Sequence, residues 1–182
     1  MLTSACFATG HRPPDLGGWD ENNEVARNTK IWLVSAIERA YARGKRIFIC
    51  GLATGTDMWF GEGVITLREK CPDIKLHAAI PFNCQPDRWA EFNKKRWKRL
   101  KEEADSFLVL FNDPIKDSPK YVWAQMLHGR NQYMVDNGSA GIAVWNGKEN
   151  GGTWNCLQKA KKAGRPILRY NPLTQEEEWL NR

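Results

Sequence analysis

Histidine and paired cysteine are what this chain has least of. Its three histidines, His11, His77 and His128, are far apart in sequence and give no support to a metal site. Five cysteines, Cys6, Cys50, Cys71, Cys84 and Cys156, are odd in number, widely spaced and lack any Cys-x-x-Cys pair. Neither a zinc framework nor a disulfide scaffold is expected from that pattern. Reduced thiols are expected instead, with Cys6 and Cys50 packing as small apolar residues inside strands. No apolar run approaches the ~20 residues that cross a bilayer, so no membrane partner is expected. Residues 1–8 contain neither a basic leader nor a long hydrophobic region, which makes the cytoplasm the expected compartment.

What is present is ordinary in bulk and particular in its loops. The 182 residues are 42% hydrophobic and 26% charged, a balance expected of one globular domain over 1–182 with a sizeable core. The net charge of +6 fits a polyanionic partner and equally a protein that holds phosphates. Much of it lies in one run, 93–101. On a helix, Trp97 and Leu100 there would mark a buried edge, with Lys94, Lys95, Lys98 and Lys101 on the solvated side. Nucleic-acid contact through this run is the less favoured reading. Nine tryptophans are many for this length. They are expected to fill core or subunit contacts, which fits a homo-oligomer. Trp19, Trp89, Trp145 and Trp154 stand in or beside candidate ligand loops, where an indole face could stack on a base.

Short apolar runs alternate with stretches of helical period. Strands are expected at 4–9, 46–50, 74–80, 106–111, 140–145 and 166–170. Helices are expected at 23–43, 56–70, 87–104, 120–136 and 153–163, and a further short one at 174–180. That alternation predicts an α/β fold: a Rossmann-like, doubly wound, mostly parallel sheet with helices on both faces. Ligands of such sheets bind beyond the carboxyl ends of the strands.

Two glycine turns fall where a strand hands over to a helix. Gly51-Leu-Ala-Thr-Gly-Thr-Asp57 follows the second strand, and Asn150-Gly-Gly-Thr-Trp154 follows the fifth. Such a turn aims unpaired N–H groups at one spot and favours a phosphate. The first turn is neither the Gly-x-Gly-x-x-Gly fingerprint nor a P-loop. In it, Gly51 and Gly55 permit close backbone approach, and Thr54 or Thr56 adds a hydroxyl. Asp57 fits either a helix-start carboxylate or a ribose acceptor, and Glu62 leans structural. In the second turn Gly151, Gly152 and Thr153 are the phosphate candidates. The loop after the first strand, Thr9-Gly-His-Arg-Pro-Pro14, lets Gly10 turn the chain while the prolines hold Arg12 as a fixed cation. His11 is a candidate donor or proton carrier. Asp113, Lys116, Ser118 and Lys120 in the fourth-strand loop are placed to close over a ligand.

Taken together, Thr9-Gly-His-Arg-Pro13, Gly51-x-x-x-Gly-Thr-Asp57 and Gly151-Gly-Thr153 resemble the YpsA-like branch of the SLOG superfamily, named for the Smf/DprA and Lonely Guy proteins. Pro81-Phe82 with Gln85 and Trp89 fits the same pattern, as does Arg130-Asn131 with Met134-Val135-Asp136. The resemblance spans about residues 5–170. It implies a Rossmann-like fold that binds a nucleotide or nucleotide-derived ligand, such as an ADP-ribose derivative, as a sensor or sequestering protein. Two alternatives come with it: a nucleoside 5′-monophosphate N-glycosidic hydrolase of the Lonely Guy type, and a single-stranded DNA binder of the DprA type. Lonely Guy enzymes carry Pro-Gly-Gly-x-Gly-Thr-x-x-Glu. Here Gly151-Gly-Thr-Trp-Asn-Cys-Leu-Gln158 has no second glycine step and no matching acid, so Asp57 and Glu62 are the remaining catalytic candidates. No cofactor beyond the ligand is expected.

Overall fold

The computed structural model describes residues 2–181. Seven strands and five helices follow one another as β1 Leu2–Gly10, α1 Glu24–Ala42, β2 Ile47–Cys50, α2 Thr56–Leu67, β3 Lys75–Ile80, α3 Glu91–Glu103 and β4 Ser106–Val109, then α4 Lys120–Asn137, β5 Gly138–Val144, α5 Gly151–Lys162, β6 Ile167–Tyr170 and β7 Glu177–Leu180. The strands form one sheet in the order β4-β3-β2-β1-β5-β6-β7. Every pairing is parallel except β6 with β7. The expected α/β Rossmann-like architecture is therefore the observed one.

Alternation along each strand divides the core between the two faces. On one face Cys6, Ala8, Phe48, Cys50, Leu76, Ala78, Ile142 and Val144 meet Leu33 and Ile37 of α1, Met58 and Val64 of α2, and Trp97 and Leu100 of α3. On the other, Ala5, Phe7, Ile49, Ala79 and Ala143 meet Met134 and Val135 of α4 and Cys156, Leu157 and Ala160 of α5. Strand order reverses at β1. The chain steps outward from β1 to β4, returns through α4, and resumes on the opposite side of β1 with β5. The loops after β1 and β5 thus diverge around one crevice, the place where such sheets bind ligands.

Three of the departures from the expected boundaries have a plain physical reason. Residues 174–180 form no helix. A segment this short cannot nucleate one alone, and β7 instead pairs antiparallel with β6, Ile167 opposite Leu180, covering an edge that would otherwise be open. Glu177 anchors the strand by accepting from Trp32 Nε1 at 2.6 Å and from Arg39 Nη1 at 2.7 Å. The third helix starts at Glu91 rather than residue 87, because Asp87 N–H and Trp89 N–H close turns onto Cys84 O and Pro86 O. The fifth helix starts at Gly151, so both glycines lie in its first turn. Among the described residues no helix is long and apolar enough to cross a membrane.

Candidate functional site

Three backbone segments are locked together beneath the crevice. His11 N–H donates to Val144 O at 3.1 Å and so ties the end of β1 to β5. The carbonyl of His11 accepts from Thr56 N–H at 3.2 Å and from Thr56 Oγ1 at 2.9 Å, which ties the same loop to the start of α2. Gly55 caps α2 with φ +85°, and a Cβ there would stand 2.9 Å from His11 O. At Gly51 a Cβ would lie 1.1 Å from Arg130 Nη1. Close approach requires glycine at both positions, and at Gly55 the positive φ requires it as well.

The resulting cavity, about 330 Å³, is lined among others by Thr9, Gly10, His11, Arg12, Asp57 and Arg130, by Asp15 and Lys148, and by Asn131 and the first turn of α5, Gly151 to Thr153. Asn150, the residue capping α5, gives no side-chain hydrogen bond to the helix start. The first-turn amides of α5 have no partner within the helix. Asn131 of α4 holds that turn in place, its Nδ2 donating to Gly152 O at 3.0 Å and to Asn155 Oδ1 at 3.2 Å.

Asp57 and Arg130 form an ion pair at 3.2 Å, with side-chain exposures of only 6% and 9%. Asp57 Oδ2 also accepts from Gly51 N–H at 3.2 Å and Ala53 N–H at 3.4 Å. Its carboxylate therefore reaches back into the preceding loop rather than capping the first turn of α2. Oδ1 has no hydrogen-bond partner among the described residues. Arg130 Nε is buried and likewise unpartnered, a costly arrangement unless something else satisfies it. Burial lowers the Arg12 pKa from its ordinary 12.5, opposed by the Asp57 charge. His11 Nε2 lies 3.0 Å from Asn146 N and 2.8 Å from Asn146 Oδ1. Burial holds its pKa below 6.5 against the weaker pulls of Asn146 and Asp15, so the ring is neutral at pH 7. Beneath the cavity, burial pushes the Cys156 thiol up to about 12, which makes it packing material and not a nucleophile.

Of the residues singled out in the sequence, Thr9, Gly10, His11, Arg12, Asp57, Gly151, Gly152 and Thr153 meet on this one cavity. Gly51, Gly55 and Thr56 stand behind it and set its shape. Glu62 is not among the residues lining it. Its carboxylate accepts from Arg96 Nε at 2.8 Å and Arg99 Nη2 at 2.7 Å, and it lines a separate surface depression with Glu21 and Phe92. Trp145 and Trp154 stack on each other, centroids 5.3 Å apart, and Trp19 is 62% exposed; none of the three lines the cavity. Trp89 does face a second cavity, of about 510 Å³, together with Phe82, Trp123, Asp113 and Lys116. Arg12 and Leu127 line both cavities. Leu127, Lys148 and Trp123 carried no signal in the sequence, and Arg130 and Asn131 were legible only through the family resemblance.

The family model of the YspA SLOG family matches residues 6–171, most of the chain. The chain belongs to that family. Among curated proteins it is 34% identical over 162 residues to an uncharacterised SPbeta prophage-derived protein, YoqJ, of Bacillus subtilis, covering 82% of this chain and 91% of that one. A UPF0398 protein of Halalkalibacterium halodurans is 27% identical over 154 residues, covering 85% and 78%. Among solved structures, DNA processing protein A from Helicobacter pylori, described there in a single-stranded DNA binding mode, superposes with a TM-score of 0.56 at 15% identity. The match covers 92% of this chain and 65% of that one, and it shows a shared fold.

Proposed function

We propose that this protein binds a phosphate-bearing, nucleotide-derived small molecule in the 330 Å³ cavity and holds it intact, as a sensor or sequestering protein. The observation that carries the reading is Arg130: a buried guanidinium with an unpartnered Nε on the wall of a cavity that also contains the uncapped start of α5. An anion there receives the first-turn amides, the helix dipole and Arg130 together, with Arg12 adding charge at the mouth. Asp57, fixed through Oδ2, keeps Oδ1 for a sugar hydroxyl.

That same free Oδ1 keeps the hydrolase reading in view, with Asp57, one of two acids on the cavity wall beside Asp15, as its candidate; Glu62 is committed to arginines elsewhere. The DNA-binding reading draws on what the Helicobacter protein is described as binding. The basic run on α3 lends it little, because Lys94, Arg96 and Arg99 are paired with Glu91, Glu21 and Glu62. Mass spectrometry of small molecules released from heat-denatured protein, after incubation with nucleoside phosphates and ADP-ribose derivatives, tests the reading. A ligand returned unchanged supports it. Free base plus sugar phosphate, lost in Asp57→Asn, would establish an enzyme instead.

A further inference from the structure

The second cavity opens beyond the same wall. Arg12 and Leu127 separate it from the first and belong to both. Its character is different: Phe82, Trp89 and Trp123 supply aromatic surface, and its volume of about 510 Å³ exceeds that of its neighbour. Trp123 is held from two directions. Its Nε1 donates to Ser118 O at 3.3 Å, and it meets Phe82 edge to face with centroids 5.2 Å apart. The guanidinium of Arg88, an exposed side chain, lies over the Trp123 ring at 5.5 Å. A planar cation already rests on that indole, and a flexible one is readily displaced by, or folded over, another planar group. Gln85 ties this cavity to the phosphate turn: its Nε2 donates to Gly51 O at 3.0 Å while its Oε1 accepts from Trp97 Nε1 at 3.2 Å. The aromatic compartment is thus built rigidly onto the loop that shapes the first cavity.

We infer that the second cavity is the base compartment of one continuous site, so that the ligand is a purine nucleotide with its phosphate at the α5 start and its base against Trp123. The inference rests on the phosphate reading above and adds the identity of the group beyond Arg12. A purine is inferred over a pyrimidine because three aromatic side chains, Phe82, Trp89 and Trp123, line a volume of about 510 Å³, roomier than a single six-membered ring needs.

Isothermal titration with ribose 5-phosphate, AMP and GMP as probes separates the two layers of the argument. In the unaltered protein a purine monophosphate should bind at least about 10-fold tighter than ribose 5-phosphate, in keeping with the stacking contribution of one base. Trp123→Leu should remove most of that advantage and leave ribose 5-phosphate binding unchanged, while Trp123→Phe should restore it and show that the fold is intact. Equal binding of ribose 5-phosphate and both nucleotides to the unaltered protein would overturn the base compartment and leave the phosphate site standing. So would a Trp123→Leu loss shared equally by ribose 5-phosphate. Binding of none of the three probes to folded protein would overturn both.

Discussion

Gly51 and Gly152 both belong to glycine turns, yet a side chain at each would have opposite consequences. At Gly51 the first added carbon collides with Arg130, while at Gly152 nothing lies within 4 Å and the backbone φ is ordinary. Gly51→Ala should therefore displace Arg130 from Asp57 and lower stability by roughly 1–3 kcal/mol, read as a lower urea midpoint. Gly152→Asp should leave that midpoint nearly unchanged and abolish binding of a phosphate-bearing ligand by titration, since it sets a carboxylate in the anion position. Retained affinity in the folded variant would take the α5 start out of the site. These positions were legible because a glycine turn between a strand and a helix is local. Trp123 was not, and Arg130 and Asn131 showed only through the family pattern: all three sit on α4, the crossover that returns from the sheet edge, and Arg130 meets Asp57 across 73 positions. No spacing rule encodes that contact. Asp57 was half legible, since its place at a helix start was clear but its bonds run backward to Gly51 and Ala53.

At the scale of elements, α3 shows how a basic run becomes ordinary once folded. Trp97 and Leu100 are buried as its period requires. Arg96 is buried with them, bridging Glu21 and Glu62, and these carboxylates raise its pKa despite the cost of desolvation. Lys101 rests over Phe107 and Trp97. Replacing Lys94, Lys95, Lys98 and Lys101 by Gln should therefore leave unchanged the slope of any oligo(dT) binding against log salt. A flatter slope would place nucleic acid on this helix. β7 teaches the complementary lesson. Its residues show neither a clear helical nor a clear strand pattern, and its conformation is decided by the open edge of β6 and by the Arg39 and Trp32 donors waiting for Glu177.

For the whole molecule, acid is the informative perturbation. Burial holds His11, His77 and His128 all below the ordinary 6.5. The unfolded chain then takes up protons at a higher pH than the native one, so stability must fall as pH drops through 6.5. Glu21 and Glu177, held below 4.5 against burial by Arg96 and Lys30, and by Arg39, add their own loss only at lower pH. Urea midpoints should accordingly decrease from pH 7.5 to 5.5. His11→Gln should make that decrease shallower, and an identical decrease would mean that folding does not lower the His11 pKa.

The reversal of strand order at β1 has a kinetic meaning. His11 lines the cavity and is held by Asn146 across 135 positions, and the cavity's other walls come from α5 and from α4, brought back from the far edge. Contacts of such separation close late, because a long loop must be ordered before they form. On dilution from urea, tryptophan burial should precede ligand capture, and the capacity to bind should appear only with the slowest refolding phase. On the proposed reading a partly made chain, however well its first four strands have associated, has no place to hold a ligand.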